Sequence, residues 1–278
     1  MKNYFLSTFL LLFVSGVSAQ NLHLNLFTGI SNYQGDLQDK KFTFSQSHLA
    51  GGLGITYDVS PHLALRTGVM IGKISGDDQY GRNKVRNLNF STLITEANLG
   101  LEYYITAPVE KHSLTPYVFA EVAIYHYNPY TFDSTGRKYY LRPLSTEGEG
   151  IVQGRNNYNL TQFSIPFGAG VKLSLSDNVN VGFEFGFRKL FTDYLDDVST
   201  SYIDKNILLS ARGAKAMELS YRGDELKNGN QQYPTVGAKR GNPNSDDWYY
   251  FSGLTISFRL GGGGLGRYAS QRCPGNVL

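Results

Sequence analysis

Three aspartates stand close together in TDYLDDVS (192–199): Asp193, Asp196 and Asp197. Carboxylates so near one another are candidate ligands for Ca²⁺, a hard cation that gathers about six to eight oxygen atoms. The stretch lacks the Gly and the closing Glu of an EF-hand loop. Asp246 and Asp247 would complete a cluster if the chain returned to the same place. The competing reading is turn formation by Asp, or pairing with the neighbouring Arg188 and Lys189.

Catalytic chemistry finds less. The histidines are His23, His48, His62, His112 and His126, and none falls in an H-E-x-x-H motif. No G-x-S-x-G elbow marks a nucleophile. The run Gly261–Gly264 lacks the Lys-Ser/Thr that would follow it in a phosphate loop, and reads as linker. Neither an enzyme nor a bound cofactor is expected. A net charge of +3 is too small to argue for nucleic acid.

A second set of charged residues follows a rule. In NVNVGFEFGFRK (178–189) every second residue is apolar, from Val179 to Phe187, and Asn180, Gly182, Glu184, Gly186 and Arg188 lie between. Such alternation is the mark of a strand with two unlike faces. Eight segments carry it: Leu22–Ile30, Leu49–Val59, Leu63–Lys73, Thr92–Ile105, Pro116–Tyr127, Leu160–Leu175, Val179–Lys189 and Tyr249–Leu260. The apolar face is Leu, Val, Ile and Phe on nearly every segment. The other face is Gly, Ser, Asn and Thr, with Arg66, Glu96, Glu102, Glu121, Lys172, Glu184 and Arg188.

The connections sort by length. The second and third segments, and the sixth and seventh, are joined by little more than Ser60-Pro61-His62 and Ser176-Asp177-Asn178. A modest loop, Thr106–Thr115, joins the fourth and fifth. The remaining connections are long, the longest following the seventh segment. Short turns at one end and long loops at the other are the pattern of a transmembrane β-barrel. The fold expected is therefore all-β: an 8-stranded antiparallel barrel in outer-membrane lipid, with both termini on the periplasmic side. Its lumen is filled by side chains, so the seven charged residues above need partners inside it.

Residues 1–19 read as a signal peptide cut after Ala19, residues 20–260 as the barrel, and 261–278 as a flexible Gly-rich tail. Cys273 is the single cysteine, so no internal disulfide forms. Aromatic residues bunch near segment ends at Tyr57, Tyr103, Tyr104, Tyr125, Tyr127, Phe191, Tyr194, Trp248, Tyr249 and Tyr250. That is the expected place for the two interfacial girdles of a barrel.

FSGLTISFRL (251–260) resembles the terminal signal by which outer-membrane barrels are recognised for assembly, with Phe251 in place of its polar lead residue. Longer stretches are similar to the PorG-like family of outer-membrane barrels: SNYQGDL (31–37), LTPYVFAEVAIYHYNP (114–129), FSIPFGAGVKLSLSDNVNVGFEFGFRKLFTDYLDDVS (163–199) and RGNPNSDDWYYFSGLTISFRL (240–260). The resemblance implies a structural, anchoring role in the type IX secretion system, with periplasmic ring proteins as partners. Topology would place that partner surface on Thr106–Thr115 and on the tail from Arg267. The alternative is a small adhesion or receptor barrel acting through its long outer loops. A diffusion pore is the third reading.

Overall fold

A computed structural model describes residues 21–38, 43–107 and 113–260. The expected signal peptide, the Gly-rich tail with Cys273, and the middle of the Thr106–Thr115 connection lie outside the described residues.

Ten strands form one antiparallel sheet: β1 (Leu22–Gln34), β2 (His48–Asp58), β3 (Leu63–Asp77), β4 (Asn89–Tyr104), β5 (Leu114–His126), β6 (Tyr130–Phe132), β7 (Lys138–Tyr140), β8 (Thr161–Ser174), β9 (Val179–Leu190) and β10 (Trp248–Arg259). Eight of them close a ring. The pairing runs β1-β2-β3-β4-β5-β8-β9-β10, and β10 returns to β1 with Gln34 opposite Trp248 and His23 opposite Arg259. Closure leaves no unpaired barrel edge, which a span through hydrocarbon requires. The expected 8-stranded antiparallel barrel is the fold. No described helix is long and apolar enough to cross a membrane.

Side chains alternate across the barrel wall. Leu53, Val69, Val122 and Leu254 point outward and are 53–62 % exposed. A continuous belt of this kind has no counterpart on a monomeric protein in water, and suits the acyl chains of a membrane. The charged members of the inward set are buried, Arg66 and Lys172 partly so. β1 and β3 run beyond their expected ends, to Gln34 and Asp77. The added part of β1, Ser31–Gln34, carries no apolar alternation, yet it pairs with Trp248–Phe251. Ladder hydrogen bonds need only a partner strand, not an apolar face.

Both ends of the barrel chain, Leu22 and Arg259, lie at the rim that carries the short turns. In an outer-membrane barrel that rim is the periplasmic one. At the opposite rim the hairpin β6–β7 extends from β4 through a bridge between Ser91 and Tyr130. Two helices, α1 (Lys205–Arg212) and α2 (Ala214–Ser220), lie in the segment between β9 and β10. Asp204 caps α1, accepting from the backbone N–H groups of Asn206 and Ile207.

Candidate functional site

Two regions bring chemistry-bearing side chains together: the lumen, and a folded cap on the long-loop rim. In the lumen, register explains why glycine and charge share a face. Arg66 and Glu121 both stand opposite Gly100, Glu184 opposite Gly170, and Lys172 opposite Gly182. Each long charged side chain thus leans into space that a second side chain would have filled. The aromatic rings need that space too. A Cβ on Gly170 would lie 2.4 Å from the Tyr117 ring, and one on Gly186 would lie 2.7 Å from Phe119.

The structure places all seven expected interior charges inside the barrel, in two groups. Lower in the barrel, Arg66 donates to Glu184 at 2.9 and 3.1 Å and to Glu102 at 3.2 Å. Its guanidinium lies 4.3 Å from the centre of the Phe119 ring. Lys172 also pairs with Glu102, and the Tyr117 hydroxyl donates to Glu184 at 2.8 Å. Glu121 is 2.7 Å from Arg66 Nε, yet neither of its oxygens accepts an aligned hydrogen bond. That pair is held by charge attraction alone.

Higher up, Arg188 and Glu96 form a two-point pair with Nε and Nη2 each 3.2 Å from a carboxylate oxygen. The Tyr249 hydroxyl donates to the same carboxylate at 2.6 Å. Near the short-turn rim, His23 and the Tyr104 hydroxyl meet Asp58 at 2.9 and 3.3 Å. Among the described residues the space left inside is small, with cavities of about 50 Å³ beside Arg66 and about 30 Å³ beside His23. Above Arg188 the lumen is closed by Tyr33, Phe90, Ile94, Tyr125, Leu190 and Phe251.

The aromatic girdle is smaller than the sequence suggested. Tyr104, Tyr125, Tyr127 and Tyr249 are buried and line the interior. Tyr250 is covered by Phe185 and Phe187, and Tyr194 stacks on Tyr158. Tyr103 and Phe191 are exposed, and Tyr57 and Trp248 are half-buried. Adjacent strand residues point to opposite faces, so of Tyr103 and Tyr104 only one reaches the outside.

The cap is built from residues 127–160 and 191–247, resting on residues 35–38 and 78–88. Its apolar centre is Ile203, Leu208 and Ala216, packed against Leu144, Ile151 and Val152. Its polar centre is Glu147. That carboxylate accepts from the backbone of Ser199 and Thr200, from the Thr200 hydroxyl, and from Arg240 at 3.0 Å. Gly148 and Gly150 hold φ of +84° and +70°, a turn that L side chains resist. Arg86 joins the cap to the barrel rim. It pairs with Asp78 at 2.7 Å and donates to the carbonyls of Asp36 and Arg240.

Residues 2–210 match the family described as a domain of unknown function, DUF6089. The chain belongs to the DUF6089 family. The match takes in β1 to β9 and ends within α1. No curated protein matches the sequence. Solved structures of similar shape include neisserial surface protein A, at 8 % identity and TM-score 0.41, covering 86 % of this chain and 97 % of that one. Ail, the attachment invasion locus protein of Yersinia pestis, aligns at 8 % identity and TM-score 0.38, covering 85 % and 96 %. The N-terminal β-barrel domain of Pseudomonas aeruginosa OprF aligns at 12 % identity and TM-score 0.34, covering 86 % and 98 %.

In this DUF6089 barrel the three candidate metal ligands Asp193, Asp196 and Asp197 do not share one set of partners. Asp196 accepts from the Tyr33 hydroxyl and from the Val198 N–H. Asp197 accepts from Thr146 and Tyr158 at 2.6 and 2.7 Å. Asp193 is buried, and neither of its oxygens has a hydrogen-bond partner. Asp247 does return to this point, accepting from the Leu195 N–H and from Tyr33. Among the described residues no group of three His, Cys, Asp or Glu is arranged to hold a metal ion.

Burial pushes these carboxyls up. Asp193 rises to about 8, with Asp196 and Asp36 adding to the effect. Glu149 also rises to about 8, with Asp197 and Glu147 adding. Asp197 is pushed to about 6, burial being partly offset by Arg240.

Sequence reasoning passed over Glu147, Arg86 and Arg240. The alternation of acid and glycine in TEGEG (146–150) was the available signal for the first. Nothing local marks Arg240 as its partner, 93 residues away.

Proposed function

We propose that the protein is a non-catalytic outer-membrane barrel that recognises a partner at its outer face through the cap. The observation that carries this is the cap's own apolar and polar centre, folded on the rim of a barrel whose lumen is filled. Ordered surface loops on a rigid scaffold are where recognition is built. Shaving intact cells with protease tests it. Clipping within residues 191–247 should abolish surface binding while the barrel stays folded. Binding that survives complete clipping would sink this reading.

A finer role in type IX secretion is the second reading, supported by the resemblance of residues 114–129 and 163–199 to PorG-like barrels. Its partners would be periplasmic ring proteins, reached from Thr106–Thr115 or the tail. Cross-linked pull-down of a tagged chain from outer membranes tests this role. Recovery of ring proteins would support it, and recovery of the barrel alone from membranes with an intact ring would remove it.

A further inference from the structure

The hairpin β6–β7 has two unlike faces. Tyr130 pairs with Ser91 of β4, and within the hairpin Tyr130 pairs with Tyr140 and Phe132 with Lys138. Paired residues of neighbouring antiparallel strands point to the same side of a sheet, and that side returns at every second residue. Ser91 is two residues from Leu93, which is exposed on the outside of the barrel. Tyr130, Phe132, Lys138 and Tyr140 therefore continue the outer wall of the barrel above its rim.

The other face of the hairpin is held by the cap. Thr131 is buried and accepts from Arg222 Nη1 at 3.2 Å. Asp133 is buried and pairs with Lys215 of α2 at 3.0 Å. On the outer face Phe132 and Tyr140 are 48 and 45 % exposed. The Tyr130 ring meets them edge-on, at 5.7 and 6.1 Å. Lys138 sets its ammonium 3.6 Å from the centre of the Tyr130 ring and 4.7 Å from that of Tyr140. Rings gathered around an ammonium present an apolar body with a charged tip.

The height of this cluster identifies what covers it. The outward apolar face of β4 runs from Leu93 to Tyr103, the length of one strand crossing of about 9–11 residues. Ser91 stands about 7 Å beyond Leu93 along a tilted strand, or about 5 Å in height. Lipid headgroups occupy about 5–7 Å beyond each edge of the hydrocarbon. The Tyr130–Tyr140 row beside Ser91 is thus at headgroup level, in direct continuity with the lipid-facing belt. On the outer face of β3, β4 and the hairpin the charged residues are Lys73, Lys138 and Asp77. Neither lysine has a carboxylate partner among the described residues, and Asp77 accepts from Gln79. Asp133 and Glu218 share Lys215 on the cap side.

We propose that this face docks on anionic lipid headgroups: the rings of Tyr130, Phe132 and Tyr140 lie in the headgroup layer at the long-loop rim, and the ammonium groups of Lys138 and Lys73 take lipid phosphates. Aromatic residues with lysine suit that layer because each has one apolar and one wet end. The hairpin thereby supplies at this rim the girdle residues that Tyr125, Tyr127 and Tyr249, turned inward, do not. The inference needs the barrel to span a bilayer and is independent of recognition through the cap.

The test uses the full chain folded into vesicles of equimolar phosphatidylcholine and phosphatidylglycerol. Trp248, the single tryptophan, is replaced by Phe. Tyr140→Trp then supplies a fluorescent reporter, and Phe132→Trp a second. Val236→Trp, at a position 67 % exposed on the cap, is the solvent control. A gel shift on heating confirms that each variant folds. Lipid spin-labelled high on its acyl chain should quench the hairpin reporters and spare the control, and acrylamide should do the reverse. The label should associate about fivefold more tightly when carried on phosphatidylglycerol than on phosphatidylcholine, the effect of about one lysine at an anionic surface. Lys138→Glu should remove that preference. Reporters open to acrylamide and untouched by the label would put the hairpin in water and overturn the proposal. Reporters shielded from both would reveal a protein contact instead, and overturn it equally. Equal quenching by the two lipids, or a preference that survives Lys138→Glu, would overturn the choice of an anionic headgroup.

Discussion

Arg188 on β9 and Glu96 on β4 meet across the lumen as a two-point pair, each nitrogen 3.2 Å from its oxygen. Both are almost fully buried. Glu96→Leu would strand the guanidinium, and a buried charge deprived of its partner costs about 3–5 kcal/mol. Glu96→Leu with Arg188→Met should recover most of that loss, because the two charges then leave together. Denaturant unfolding of both variants in detergent checks this, and a double variant no more stable than the single one would refute it.

The aromatic layer above this pair predicts a closed barrel. Reconstituted into a planar bilayer, the protein should pass no steady ion current. The cavities of about 50 and 30 Å³ are separate small spaces rather than a continuous channel. An open level of constant conductance, recorded from the purified chain, would show that the lumen is not filled.

The glycines of the barrel wall should not be equivalent, the inward Gly186 and the outward Gly51 least of all. Gly186→Val would drive a Cβ to 2.7 Å from Phe119 and 2.9 Å from Arg188. Overpacking of this kind costs about 1–3 kcal/mol. Gly51→Ala, whose Cβ would meet nothing nearer than 3.7 Å, should fall within about 0.5 kcal/mol of the parent. Matched unfolding curves for the two variants would contradict the packing described.

The cap should weaken as pH rises. Asp193 is pushed up to about 8 by burial, against about 3.9 in an unfolded chain. Between those values the folded cap holds a proton that the unfolded segment has lost. The contribution is therefore complete below about pH 4 and disappears as pH passes through about 8. Glu149 acts in the same sense. Protease clipping of the cap should be slower at pH 6 than at pH 9, and Asp193→Asn should flatten the difference. A cap that resists clipping better at pH 9 would reverse the sign and reject the account.

The barrel was legible because period-two alternation survives wherever one face meets lipid and the other a polar lumen. Its outer ends were less so. Ser31–Gln34 pairs with β10 without any apolar pattern to announce it. The interior charges could be named from their face alone, but not matched: Arg66 reaches Glu184 over a separation of 118 residues. Asp193, Asp196 and Asp197 looked convergent because they are near in sequence. Their oxygens are taken by different partners instead, Tyr33 of β1 for Asp196 and Tyr158 of the 127–160 loop for Asp197. The cap was invisible as a body, since its contacts join loops that share no periodicity.

The order of the strands bears on how the molecule reaches its place. β10 supplies both of the final seams, one to β9 and one to β1. Until it docks, every shorter piece of the chain has two raw edges, which hydrocarbon tolerates badly. The segment that must cross the bilayer just before that moment is residues 191–247, the most polar freight the chain carries. Delivery of the second part of the cap and locking of the hoop thus fall together, after residues 127–160 have already crossed. A stall there would leave a barrel that is both open and half-capped.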